Sequence, residues 1–225
     1  MTDLFKKRNL LQTSPGNRIE GVHSKEEGVM PIKVEVICGP MGAGKTEELI
    51  RRATRELIAG KRVLAVYPKI DNRVEGSYIA TGYADVTGGR EFSRKMPAKA
   101  VSTKKEFLAL VRAERPQVLA VDEAQLFPKW VISAIKEVML YGIVDRIIIA
   151  GLNMDAWGEP FGPMPVLMAI SQEVTVLTAV CTNCKRSDIG VLTQKTSVGT
   201  GQRVEVGSKQ YTVRCRDCWT PPPKE

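Results

Sequence analysis

From Ile32 onward the chain alternates short apolar runs with amphipathic stretches. Ile32–Cys38 (IKVEVIC) has the length and β-branched content of a strand. Glu47–Ala59 sets Leu49, Ile50, Ala53, Leu57 and Ile58 on one helical stripe, and Gly60 stands where a helix is commonly closed. Val63–Tyr67 reads as a second strand ending at Pro68, Lys104–Arg115 as a helix ended by Pro116, and Val118–Val121 as a third strand. Lys129–Leu140 has the helical period again, while Arg146–Ala150 (RIIIA) and Val174–Val180 read as further strands. Residues 71–100, rich in Gly, Asp and Arg, resolve into no long element, and residues 1–30 carry no sustained apolar period and read as a disordered extension.

Short apolar strands alternating with helices predict an α/β fold, a parallel sheet covered on both faces, over residues 31–180. After Cys181 the chain turns to Thr, Gly, Lys and paired cysteines, which predicts a second small module of hairpins over residues 181–219 and a tail at 220–225. A length of 225 residues with 43% apolar side chains suits one large core plus such a module. No run approaches the roughly 18 apolar residues of a membrane span. Lys6, Lys7 and Arg8 are followed by no apolar stretch, so no secretory leader is expected and the protein is expected in the cytoplasm. The single histidine, His23, lies in the extension, which removes histidine-based catalysis from consideration.

Gly39–Thr46 reads GPMGAGKT, a full G-x-x-x-x-G-K-T match between an expected strand and an expected helix. Backbone N–H groups of Gly39, Pro40-Met41, Gly42, Ala43 and Gly44, proline excepted, together with the helix N-terminus, can wrap phosphate oxygens, with Lys45 neutralising them and Thr46 ligating magnesium. The third strand ends in Asp122-Glu123, which puts two carboxylates at the sheet edge where phosphates bind. Asp122 suits the magnesium shell. Glu123 is expected to point the other way and to orient or deprotonate a nucleophile, either water or a hydroxyl. The two motifs together imply an NTP-using enzyme without naming the acceptor. Cys38, at the end of its strand, reads as a small buried hydrophobe.

Cys181-x-x-Cys184 and Cys215-x-x-Cys218 have the spacing of a tetrahedral zinc site with no open ligand position, so the metal is expected to be structural. Such a site would pin both ends of the segment between the knuckles, with its Gly199-Thr200-Gly201 turn, and stiffen it into a lid. The net charge of +8 is consistent with anionic ligands, and half of it, +4, falls within the last 41 residues.

The ordered set of GPMGAGKT, DEAQ at Asp122–Gln125, GLNMDAWGEPF at Gly151–Phe161, and the two knuckles with Tyr211 ahead of the second resembles the type II thymidine kinases over about residues 32–218. The resemblance implies a P-loop NTPase-type sheet with flanking helices plus a zinc-pinned lasso domain. It also implies transfer of the γ-phosphoryl group of ATP, with magnesium, to the 5′-hydroxyl of thymidine or deoxyuridine, and a homotetramer inhibited by thymidine triphosphate. It makes Glu123 the base, and lines the nucleoside site with Met41, Gln125, Leu126, Leu152, Ala156, Trp157 and Phe161. Asp71 and Arg73, in the pattern P-x-x-D-x-R, would lie near the sugar, and the lasso residues Val206, Gly207 and Tyr211 would close over the base. Zinc loss is then expected to weaken nucleoside binding before ATP binding.

Three positions depart from the family pattern. Leu126 and Ala156 stand where aromatics are usual, and Asn153 where an acid is usual, so a bulkier or 5-modified deoxynucleoside is an alternative substrate; Trp157 could refill the space beside Ala156. A zinc-bearing ATPase that binds nucleic acid is the rival from another class. Against it stand the absence of room for a second ATPase lobe and the single aromatic, Tyr211, in residues 185–218, which offers no stacking platform. Nucleic acid and membrane are therefore not expected partners. A nucleotide sensor without catalysis is the third reading, disfavoured by Lys45, Thr46, Asp122 and Glu123.

Overall fold

A computed structural model describes residues 32–71, 77–81, 83–84, 90–91, 94–196 and 210–222. The chain runs β1 (Lys33–Cys38), α1 (Lys45–Ile58), β2 (Val63–Pro68), β3 (Tyr78–Ala80), β4 (Tyr83–Ala84), β5 (Arg90–Glu91), β6 (Lys95–Pro97), β7 (Lys99–Val101), α2 (Lys104–Glu114) and β8 (Val118–Val121). A short turn of 3-10 helix (Ala124–Leu126) follows, then α3 (Trp130–Leu140), β9 (Arg146–Gly151), α4 (Met164–Ala169), β10 (Glu173–Val176), β11 (Leu192–Lys195) and β12 (Tyr211–Arg214). Six strands form one parallel sheet in the order β10-β1-β9-β8-β2-β7. The expected α/β architecture is therefore present, with helices on both faces.

Alternation along the strands divides the core in two. Val34, Val36, Leu119, Val121, Ile147 and Ile149 face one side, where they meet Phe107 and Val111 of α2, Val131 and Ile135 of α3, and Leu167 of α4. Ile37, Val118, Ala120, Ile148 and Ala150 face the other, against Leu49, Ile50 and Ala53 of α1. A one-residue slip of β1 would exchange these sets, so its register is fixed by burial on both faces. Helix α2 starts where Thr103 accepts the Glu106 N–H at 3.2 Å and Glu106 returns a bond to the Ser102 N–H at 2.8 Å, and it stops at Arg115, left-handed at φ 44°, ahead of Pro116.

Three of the differences from the sequence reading shape the surroundings of the site. Helix α1 begins at Lys45 because Gly44, left-handed at φ 79°, turns the chain straight from the glycine-rich loop into the helix. Strand β10 ends at Val176, since Ala179 forms an antiparallel bridge with Gly190 and diverts the chain into the cysteine module. Strand β7 fills one edge of the sheet although its three residues offer no alternation to read. Among the described residues no helix is long and apolar enough to cross a membrane.

One charged residue interrupts the α1 face of the sheet. Glu35 is fully buried, accepts two bonds from Arg146 at 2.7 and 2.8 Å and one from Arg52 of α1 at 2.9 Å, and pairs with Lys33. Arg52 also bonds Glu48, Glu173 and Thr175, so it ties α1 to β1 and β10 at once. Removing one partner of such a buried set strands the others, at a cost of about 3–5 kcal/mol. Burial alone pushes the Glu35 carboxyl up, but its bonds from Arg146, Lys33 and Arg52 outweigh that and hold it below the ordinary 4.5. The Arg51 fork, working against burial and helped by Arg52, brings Glu48 down to about 2.

These depressed acids favour the folded state while ionised. Their contribution is complete above 4.5 and is lost as pH falls toward the folded values, about 2 for Glu48. The thermal midpoint is therefore expected to be insensitive to these groups near neutrality and to fall progressively from roughly pH 4.5 toward pH 2. Calorimetry across that window checks it; a midpoint that stays level there contradicts the assignment.

Candidate active site and metal centre

The glycine-rich loop leaves the C-terminal end of β1 under close constraint. Gly39 has φ 150°, and a Cβ there would lie 2.3 Å from the Leu177 carbonyl oxygen, so no side chain fits. Leu177 is itself tied to β1 by its N–H, which donates to the Cys38 carbonyl at 2.7 Å. Lys45 is buried, and its Nζ curls back to donate to the Pro40 carbonyl at 2.6 Å. Cys38 is fully buried; burial pushes its thiol up, against the pull of Lys45, which suits a packing residue and not a nucleophile.

Strand β8 delivers the two acids. The Thr46 hydroxyl donates to the Asp122 carboxylate, 3.0 Å from one oxygen and 3.2 Å from the other, while the Asp122 N–H donates to Val66 at 2.9 Å. A hydroxyl beside a carboxylate is a hard oxygen pair of the kind magnesium takes, so these residues fit that ion. Glu123 does not continue the strand. Its backbone is left-handed at φ 49°, which turns the side chain out of the β8 alternation, and it is 9% exposed. Gln125 Nε2 donates to Glu123 Oε2 at 2.5 Å, and Gln125 Oε1 accepts the Leu152 N–H at 2.9 Å. The amide of Gln125 is thus fixed at both ends and fixes Glu123 in turn.

The segment after β9 brings Leu152, Ala156, Trp157 and Phe161 to the same end of the sheet. Leu152 and Ala156 are buried, Trp157 and Phe161 half-buried, and Leu126 is half-buried in the 3-10 turn. Trp157 lies under the Lys195 ammonium, 5.9 Å from the ring centroid, so its ring is engaged with β11. Asn153 Oδ1 is buried and has no hydrogen-bond partner among the described residues. Asp71 is half-buried just past β2, its N–H donating to Pro68 at 2.9 Å. Tyr211 opens β12 opposite Lys195. Arg73, Val206 and Gly207, and the extension at residues 1–30, lie outside the described residues.

The cysteines converge as their spacing suggests. Four sulfurs, from Cys181, Cys184, Cys215 and Cys218, lie within 4.8 Å of one another, with Cys184 and Cys215 3.9 Å apart. A zinc–sulfur bond of about 2.3 Å puts tetrahedral sulfurs roughly 3.8 Å apart, so the quartet fits zinc, whereas a disulfide needs about 2.05 Å. Burial pushes the Cys181 thiol up, but backbone N–H groups of Cys184, Cys215 and Asn183 outweigh it and bring it down to about 6. Arg186 reaches across both knuckles. It donates to Cys184 Sγ at 3.5 Å, to Cys215 Sγ at 4.0 Å and to Asp217 at 2.9 Å, and it leads the causes that lower Cys184. Charge-assisted N–H groups on the sulfurs offset the negative charge that four thiolates bring to one divalent ion.

Several residues escaped the sequence reading. Asp155 is 2% exposed, and its Oδ1 takes the N–H groups of Trp157 and Glu159, both at 3.0 Å, shaping the turn between the pocket walls. Asp with Gly three residues later is the pattern of a type I β-turn, and the Gly158 N–H donates to the Asp155 carbonyl at 3.1 Å. Glu35 gave none, because a lone acid in an apolar strand does not reveal which cations will meet it.

A family model for thymidine kinase matches residues 32–219. A protein named thymidine kinase from Deinococcus deserti is 40% identical over 151 residues, covering 67% of this chain and 74% of its own length. Another so named, from Bacteroides thetaiotaomicron, is 35% identical over 187 residues, covering 83% of this chain and 86% of its own.

Replacing Cys215 with Ser leaves three of the four ligands. The variant is expected to yield its metal to a colorimetric chelator under conditions that leave the parent loaded, with a lower thermal midpoint. Equal retention would take the quartet out of metal binding.

Proposed function

The chain belongs to the thymidine kinase family, and from that premise we propose that it moves the γ-phosphoryl group of ATP onto the 5′-hydroxyl of thymidine or deoxyuridine. Family membership makes it a phosphotransferase; the acceptor and the role of each residue are the proposal. The observation that carries it is the division of labour at the end of β8. Asp122 meets the Thr46 hydroxyl, and the next residue, Glu123, is turned out of the strand and held by Gln125. Metal holding and proton removal then fall to different carboxylates.

In this reading Glu123 accepts the proton of the 5′-hydroxyl as that oxygen bonds to the γ-phosphorus. The bond from phosphorus to the bridging oxygen breaks, and ADP leaves with the electron pair. Lys45 exchanges the Pro40 carbonyl for phosphate oxygens, and the amides of Gly42 and residues 44–46 share the load. Thr46 and Asp122 hold magnesium, which when bound neutralises charge on the β- and γ-phosphates. Gln125 keeps Glu123 aimed and is assigned, with the residues that follow, to the nucleoside site. Met41, Leu126, Leu152, Ala156, Trp157, Phe161 and Tyr211 are assigned to the nucleoside walls, with Val206 and Gly207 above the base and Asp71 and Arg73 at the sugar. The homotetramer and inhibition by thymidine triphosphate belong to the same proposal.

A second acceptor is favoured by one observation. Ala156, in place of an aromatic, sets a small side chain in the wall, while the neighbouring Trp157 ring lies under the Lys195 ammonium. A roomier wall would admit a larger group at the 5-position of the base.

Glu123→Gln is expected to keep ATP affinity while lowering turnover by about 10²- to 10⁴-fold, the usual worth of a positioned base. An unchanged rate removes Glu123 from that role. Radiolabelled ATP offered with thymidine, deoxyuridine, 5-hydroxymethyldeoxyuridine and the other deoxynucleosides identifies the acceptor. Labelled phosphate released without any nucleoside monophosphate would contradict the kinase reading.

A further inference from the structure

The module built on the cysteines touches the phosphate loop directly. Met41, inside the loop, donates its N–H to Thr193 Oγ1 at 3.2 Å, and Thr193 is 4% exposed. Beside it, a Cβ at Gly42 would stand 3.7 Å from a methyl of Val213. Thr193 and Val213 are cross-strand partners in the β11–β12 hairpin. Two consecutive loop residues therefore meet two facing residues of one hairpin.

The hairpin is fastened on its other side. The Thr193 carbonyl accepts the Trp219 indole N–H at 3.2 Å, and the Trp219 backbone N–H donates to Cys215 at 3.0 Å. The Trp219 ring edge lies 3.4 Å from where a Cβ of Gly158 would be, in the turn organised by Asp155. A continuous path thus runs from the second knuckle through Trp219 and Thr193 to Met41.

We propose that Thr193 is a positioning residue for the phosphate loop, acting through the Met41 amide, and that the cysteine-pinned hairpin is the splint that makes it rigid. The loop has few ways to be fixed without using the amides that bind phosphate. Pro40 has no N–H, and the Ala43 N–H is turned back to Pro40 at 3.4 Å. Spending the Met41 N–H on a hydroxyl from outside fixes the loop's entry while the amides that follow keep their direction. Loss of zinc would then be felt at the phosphates as well as at the nucleoside.

The inference rests on the proposed kinase reading, and the test separates the two. Thr193→Val removes the acceptor at nearly constant volume, and Thr193→Ser keeps it. Both are compared with the parent as zinc-loaded full chains, metal content being measured by colorimetric release, with ATP and thymidine varied separately. The Val variant is expected to lower kcat/KM for ATP by about 5- to 10-fold, the upper end of the net worth of one hydrogen bond since the Met41 amide is part-buried, and to move KM for thymidine less than it moves KM for ATP. The Ser variant is expected to recover to within about 3-fold. A loss confined to thymidine KM, or equal losses in Val and Ser, overturns the proposal.

Should the Val variant fail to fold or to hold zinc, Trp219→Phe, which keeps a ring against Gly158 but removes the N–H to Thr193, is expected to shift ATP in the same direction. An unchanged ATP KM there overturns it. If the parent itself transfers no phosphoryl group, the kinase reading fails. Calorimetric affinity for MgADP, weaker in Val than in parent and Ser, then supports the positioning role, and equal affinity overturns it.

Discussion

A loop that binds phosphate through its backbone amides must leave those amides unspent, so it cannot hold its own shape by the hydrogen bonds that fix helices and strands. Residues 39–46, which we propose cradle phosphate, spend the amides of Met41 and Ala43 and leave the others to be held in place from outside. Gly39 is pressed against the Leu177 carbonyl where no side chain fits, and Met41 gives its N–H to Thr193. Thr46 is bonded to Asp122 at the end of β8.

Two larger pieces of the structure serve the same end. On one side, α1 carries the loop's C-terminal end and is anchored by Arg52, which joins Glu48, buried Glu35, Glu173 and Thr175 across two strands. Buried charges are costly to bury and costlier to strand, so the cluster fixes where the helix sits more than it adds net stability. On the other side, the β11–β12 hairpin reaches Met41 and Gly42, with the cysteine quartet at its base. Zinc held by the quartet would contribute mechanically: it would keep a small hairpin, too short to be stable alone, firm enough to brace a loop.

Much of this was legible in the chain. The strand before the GPMGAGKT motif and the helix after it, the β8 acids and the cysteine knuckles were each readable because local sequence decides them: an apolar run, a glycine that permits a left-handed turn, a ligand spacing. The chain's membership of the thymidine kinase family agrees with that reading. What was not legible depends on pairs distant in sequence. Glu35 and Arg146 are 111 residues apart, and Met41 and Thr193 are 152 apart. The two bonds of the Gln125 amide, to Glu123 and to Leu152, exist only once β8 and β9 lie side by side. Trp157 likewise takes up Lys195 because β11 passes there.

If the metal-pinned hairpin braces the phosphate loop from outside, loss of the metal must loosen both. Hydrogen–deuterium exchange on the zinc-loaded and zinc-stripped chain, without nucleotide, measures this most directly. Removing zinc should speed exchange in residues 39–46 together with residues 181–196, while the Arg146–Gly151 strand in the middle of the sheet stays protected. Faster exchange confined to the cysteine module, with residues 39–46 unchanged, would contradict it.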